Sequence, residues 1–205
     1  MALIHRATLR PTKLELLAEW LPGRDWFTGP TEALERVAAY RFDDPADAVG
    51  IETMLVRAGD GPVWQVPLTY RHAPLDGGDQ WLLGTAEHST LGKRWIYDGT
   101  GDPVYAAALA SAILGNTGQA DEMMQTDNGL VPRELTMDIA SATTTTVPTV
   151  GAVLHVVDGD PTVVTADTVE LTVHRRLDAT RPGAGLTGTW PGQSTPVPLA
   201  TATLR

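Results

Sequence analysis

The run Thr12-Lys13-Leu14-Glu15-Leu16-Leu17-Ala18-Glu19-Trp20-Leu21-Pro22-Gly23-Arg24-Asp25-Trp26-Phe27 sets a short amphipathic helix directly before two large aromatic residues. Thr12 with Glu15 is a capping-box pair, in which hydroxyl and carboxylate each satisfy an orphan amide of the first turn. Leu14, Leu17, Ala18 and Leu21 recur at helical spacing, so the helix has one apolar stripe that a second layer must cover. Pro22-Gly23 stops it. Trp26 and Phe27 then fall in a connection, where large apolar side chains are explained by burial over the element just completed. Trp20, Trp26 and Phe27 are therefore expected to be the structural anchor between helix and sheet.

On the C-terminal side, residues 33–42 read as a strand with Leu34, Ala38, Tyr40 and Phe42 on one face and Val37 and Ala39 on the other, broken by Asp43-Asp44-Pro45. Residues 49–57 and 62–71 form a hairpin around Gly59-Asp60-Gly61, whose glycines supply the positive φ of a tight turn. Trp64, Val66, Leu68 and Tyr70 share a face of the second strand. Pro67 has no amide to donate, which predicts an edge or a bulge there and makes it a candidate interaction position. Two further strands are expected over 80–88 and 93–97, after Asp76-Gly77-Gly78-Asp79 and Gly92. On the N-terminal side, residues 2–10 alternate weakly, with Leu3, His5, Ala7 and Leu9 on one side, and predict a first strand.

Asp102 as N-cap and Pro103 as first helical residue start a second helix, with Val104, Ala107, Ala108, Ile113 and Leu114 as its apolar side and Gly115 as its stop. Beyond it residues 116–129 are polar, residues 141–146 are a Ser-Ala-Thr tract, and β-branched runs at 150–157, 162–173 and 199–204 alternate with turn residues. The expected class is α+β: a curved antiparallel sheet packed on two or three helices, followed by a β-rich C-terminal meander. Residues 1–118 are expected to be one unit. Residues 119–205 either continue its sheet or pack on it as a second layer.

Composition narrows the function. The 205 residues are 42% hydrophobic and 20% charged, ordinary for a globular chain. A net charge of −10 argues against nucleic acid or an anionic membrane surface, both of which need clustered cations. The chain has 0 cysteines, which excludes disulfides, thiolate catalysis and Cys-based zinc sites. No apolar run is long enough to cross a bilayer, and the first residues mix His5, Arg6 and Arg10 among the apolar ones rather than forming a signal-peptide core. The expected location is cytoplasmic.

Chemical motifs are scarce. His155-Val156-Val157-Asp158-Gly159-Asp160 superficially resembles a kinase catalytic loop, but the metal-holding Asn is replaced by Val163-Val164-Thr165, and Asp158-Gly159 reads as a hairpin turn. No phosphate-binding Gly-Lys-Ser/Thr loop occurs, and Lys13 and Lys93 do not sit where they would pair nucleotide phosphates. Gly99-Thr100-Gly101 precedes a helix, yet Asp98 and Asp102 flank it and Asp102 takes the cap. Asp43, Asp44, Asp47 and Glu52 lack calcium-loop spacing, and His5, His72, His88, His155 and His174 stand singly. No catalytic residue, cofactor or metal site is assigned. Of the six tryptophans, Trp190 in its Gly-Thr-Trp-Pro-Gly turn is expected to be the most exposed and is the second candidate interaction residue.

Trp20-Leu21-Pro22 followed by Trp26-Phe27-Thr28-Gly29 resembles the opening of the N-terminal cap domain of actinobacterial maltokinases. Gln65-Val66-Pro67-Leu68-Thr69-Tyr70-Arg71 and Tyr97-Asp98-Gly99-Thr100-Gly101-Asp102-Pro103-Val104-Tyr105 resemble stand-alone, cap-like proteins of the same bacteria. The likeness spans roughly residues 1–120 and carries no catalytic group. Asp25 and Pro30 stand where kinase caps tend to have Arg and Lys, so roles of those cations do not transfer. What the resemblance implies is a non-enzymatic accessory or regulatory protein linked to maltose, trehalose and α-glucan metabolism, docking on a sugar kinase or other α-glucan enzyme. Two other classes stay open: a carbohydrate-binding module using exposed tryptophans, and a small-molecule enzyme assembled from distant polar residues. A homodimer through a sheet edge is also allowed.

Overall fold

Thr12 caps the first helix as its spacing requires. Its hydroxyl accepts from the Glu15 amide, the Glu15 carboxylate accepts from the Thr12 amide at 2.6 Å, and α1 runs Lys13–Trp20. The structure, a computed structural model, describes residues 2–4, 8–126, 129–181 and 183–205. In chain order the other elements are β1 (Ala2–Ile4), β2 (Leu9–Arg10), β3 (Leu34–Phe42), β4 (Gly50–Ala58), β5 (Val63–Arg71), β6 (Leu82–His88), β7 (Gly92–Asp98) and α2 (Pro103–Leu114), then β8 (Glu122–Thr126), β9 (Gly129–Pro132), β10 (Asp138–Ser141), β11 (Val153–Val157), β12 (Thr162–Ala166), β13 (Val169–Val173), β14 (Leu186–Trp190) and β15 (Gln193–Leu204). Part of the strand expected over residues 2–10, with His5 and Ala7, lies outside the described residues, as does Pro182 in its turn.

The first six-stranded sheet is antiparallel, in the order β2-β6-β7-β5-β4-β3. β4 is buried along almost its whole length because both faces of this sheet are covered. On one face Met54, Val56, Trp64, Val66 and Leu68 pack against Leu16 and Leu17 of α1 and against Trp20, Trp26 and Phe27. On the other, Ala38, Tyr40, Phe42, Ile51 and Leu55 share a cluster with Leu109 and Ile113 of α2 and with Val164, Leu171 and Leu199. The last three come from a second six-stranded antiparallel sheet, β10-β14-β15-β13-β12-β11. A small third sheet, β1-β8-β9, pairs the N-terminus in parallel with β8.

The curved antiparallel sheet and the β-rich C-terminal part are as expected, with several corrections. The described residues hold two α-helices and short 3-10 turns, so packing on a third helix is overstated. The C-terminal part is a separate sheet facing the first, and its order is not that of a simple meander. The run 162–173 divides into β12 and β13 at Asp167-Thr168, and residues 186–190 pair with β15 as a hairpin over Pro191-Gly192. The deepest residues of α2 are Tyr105, Ala106, Leu109, Ala110, Ala112 and Ile113, while Val104, Ala107 and Ala108 are only half-buried. Nearly every residue of that helix is apolar, so its pattern names no face.

Pro67 is the clearest correction. It is buried inside β5, paired with Thr53 of β4, in an interior strand. Its missing amide falls where the neighbour changes: β7 pairs with β5 from Leu68 onward. Before it, the Gln65 amide donates to the Arg175 carbonyl at 2.7 Å and the Leu177 amide to the Val63 carbonyl at 2.9 Å. The edge expected at Pro67 is closed by β7 on one side of the proline and by the 175–177 segment that follows β13 on the other.

Candidate functional site

The anchor residues come together. Trp20, Trp26 and Phe27 are 9%, 7% and 8% exposed, and Trp26 lies 5.9 Å from the Trp64 ring, tilted at 44°. Trp26 also has a polar task, since its Nε1 donates to Asp158 at 2.7 Å. The Arg24 guanidinium lies over Trp20 at 4.7 Å and donates to the same carboxylate at 3.3 Å. Asp158 belongs to a hairpin between β11 and β12, as the Asp-Gly pattern predicts, but its side chain ties that hairpin to the anchor.

Arg175 is the centre of this seam. It is 0% exposed, its guanidinium carbon sits 4.6 Å from the Trp26 ring centre, its Nε donates to Thr162 at 2.7 Å, and its Nη2 donates to Asp98 at 2.6 Å. The other Asp98 oxygen accepts from the amide and hydroxyl of Thr100. Asp102 accepts from the Val104 amide as the cap of α2 and from Arg71 Nε and Nη2, each at 2.7 Å. The Asp98-to-Asp102 turn is thus occupied by its own carboxylates, which take the Thr100 and Val104 amides, and by their arginines. Asp160 holds the next backbone segment, accepting from the amides of Arg175 and Arg176. Arg181 Nη1 lies 2.8 Å from His174 Nδ1, and a guanidinium only donates, so that imidazole nitrogen is the unprotonated one. Burial and the Arg181 charge lower the His174 pKa.

A second polar cluster closes the far end of the α1 face. Glu52, 2% exposed, accepts from Lys13, from the Tyr70 hydroxyl at 2.7 Å and from Arg41 at 3.1 Å. Burial raises the Glu52 pKa, but Arg41 and Lys13 outweigh it and hold the carboxyl well below the usual range. Arg41 reaches on to Glu122, which Arg133 also pairs, so this cluster links β3, β4 and β8.

The remaining candidates are dispersed. Trp190 ends β14 half-buried against the main core, less open than its turn suggests. Trp64 and Trp81 are buried, and Trp95 is half-buried with the Lys93 ammonium 4.8 Å from its ring. His72 and His155 are exposed and apart, the His88 ring accepts from the Thr90 and Leu91 amides, and no three His, Asp or Glu residues among those described could hold a metal. Among the described residues, grooves open to solvent at two places of note. One of about 450 Å³ has α2 residues Val104, Ala107 and Ala108 in its wall. The other, about 780 Å³, runs between the 75–81 segment and residues 151–156. Sequence reasoning missed Arg175, because Val173-His174-Arg175-Arg176 reads as the polar end of a strand and nothing local marks one of its cations as buried.

No curated protein matches the chain. The model of the maltokinase N-terminal cap domain family matches residues 20–102, so the aromatic anchor, β3 to β7 and the Asp98-to-Asp102 turn form the part of this chain that is similar to that family.

Proposed function

We propose that this chain is a non-enzymatic accessory or regulatory protein of maltose, trehalose and α-glucan metabolism, acting in the cytoplasm by docking on a sugar kinase or another α-glucan enzyme. The observation that carries the reading is the match of residues 20–102 to the maltokinase cap domain. The carboxylates nearest to a catalytic motif, Asp98, Asp102 and Asp158, are engaged by Arg175, Arg71, Trp26 and Arg24, and this supports a structural use of them. Affinity purification of the tagged chain from its native cell is expected to recover an α-glucan enzyme in stoichiometric amount. Recovery of the chain alone overturns the docking reading, and ATP consumption in the presence of maltose overturns the non-enzymatic one.

A carbohydrate-binding module is the second reading, favoured by the half-buried rings of Trp95 and Trp190. It expects a saturable change in tryptophan fluorescence on titration with maltose, trehalose or glycogen. A flat response removes it.

A further inference from the structure

The edges of the sheets are treated unequally. β2 and β1 are short, and β9 ends in Pro132. The long edge strand β3 carries Glu35, Arg36 and Arg41 and is partly covered, since Thr136 bonds both the amide and the carbonyl of Ala39 and the Ala120 amide donates to Arg41. Charge, proline and cover are the usual protections of an edge against further pairing. β11 has neither charge nor proline, and only a bulge between Val153 and His155 interrupts its pairing with β12. Its five residues, Val153-Leu154-His155-Val156-Val157, contain no acid, Lys, Arg or Pro, and Leu154 and Val157 are 62% and 53% exposed. It is the outermost strand of its sheet, and among the described residues it pairs with β12 alone. The 780 Å³ groove runs along it, with Leu75, Gln80 and Trp81 on the opposite bank.

We propose that the open edge of β11 takes an extended segment of a partner protein as an added strand, with an apolar centre and basic flanks. An unpaired row of backbone amides and carbonyls recognises another backbone, and alternate side chains select among sequences. The flanks argue the charge. Asp167 holds the Gly151 amide just before the strand and Asp76 lies on the far bank, whereas Asp158 and Asp160 after the strand already face Arg24 and Arg181. A second copy would bring the same acids and another net charge of −10 to the edge, so a cationic partner is favoured over self-pairing. This takes the docking reading above and names its surface.

The test is selection of displayed peptides of about ten residues, the length of one added strand, on the intact chain. The expected outcome is enrichment of peptides with alternating apolar residues and Lys or Arg flanks. Their binding should protect amides 153–157 from hydrogen exchange, weaken at least about tenfold on backbone N-methylation of the peptide, and weaken similarly in the Leu154→Lys chain. No enrichment, peptides that leave those amides exchanging freely, acidic-flanked winners, or dimerisation through β11 would each overturn the proposal. The selection needs no α-glucan enzyme, so its failure is separable from failure of the native purification. An enzyme that still co-purifies with Leu154→Lys would keep the docking reading and remove this surface.

Discussion

At the scale of single residues, His174 and Glu52 give the protein an acid-side stability profile in two stages. The His174 pKa is lowered from 6.5, so below about that pH the unfolded chain binds a proton that the folded chain refuses. Stability is therefore expected to be level above pH 6.5 and to fall as the pH drops from there. Glu52 is depressed from 4.5, so its contribution is present above that pH and is lost as the pH falls further. Urea midpoints from pH 8 to 3 should show both limbs, and His174→Gln should remove the first without moving the second. Arg175 makes a sharper case. Arg175→Met leaves the Asp98 carboxylate in the core with only Thr100, and is expected to cost about 3–5 kcal/mol. Adding Asp98→Asn should recover roughly 2 kcal/mol of that in a double-mutant cycle. Simple additivity of the two losses would show that Arg175 acts through packing on Trp26.

At the scale of elements, the start of α1 and the turn before α2 should respond differently. Thr12→Ala removes one half of an exposed capping box and is expected to cost about 1 kcal/mol in a thermal or urea melt. Gly101→Ala looks milder in the sequence. Yet a Cβ at that position would stand 2.2 Å from the Trp81 ring, which is 9% exposed. It is expected to cost more than the cap, in the range of about 1–3 kcal/mol or above, and to shift the Trp81 fluorescence. A cost below that of Thr12→Ala would mean that the 3-10 turn moves as a unit away from the ring. The Ser-Ala-Thr tract, which reads as strand or loop, also serves an element: the Ser141 hydroxyl and the Thr145 amide satisfy the Ile113 and Leu114 carbonyls at the end of α2.

At the scale of the whole molecule, the first sheet is a middle layer, with the aromatic anchor on one side and α2 with the second sheet on the other. Residues 1–118 alone would expose Tyr40, Ile51, Leu55 and Leu109 to water and leave Asp98 without Arg175. That fragment is expected to be aggregated or molten, with dye binding and no cooperative melt, while the full chain melts in one transition. A soluble, cooperatively folding 1–118 fragment would show that the two parts are independent units.

Much of the first part was legible locally. The Thr12 capping box, the Pro22-Gly23 stop, the Gly59 hairpin and the Asp102-Pro103 start are all set by steric and hydrogen-bonding preferences of residues close in the chain, and all stand where those preferences put them. The burial of Trp20, Trp26 and Phe27 was legible too, because large apolar rings next to a helix stop are most stable packed over the helix just completed. What the tertiary structure alone decided is long-range: that β5 changes neighbour at Pro67, that an arginine in an unremarkable polar run is the buried partner of Asp98, and that β11 has no paired strand on one side among the described residues. The physical reason is the same in each case. Which strand lies beside which, and which cation meets which carboxylate, depends on how two sheets pack across a shared core, and a pattern of period two or 3.6 encodes only which way a side chain points.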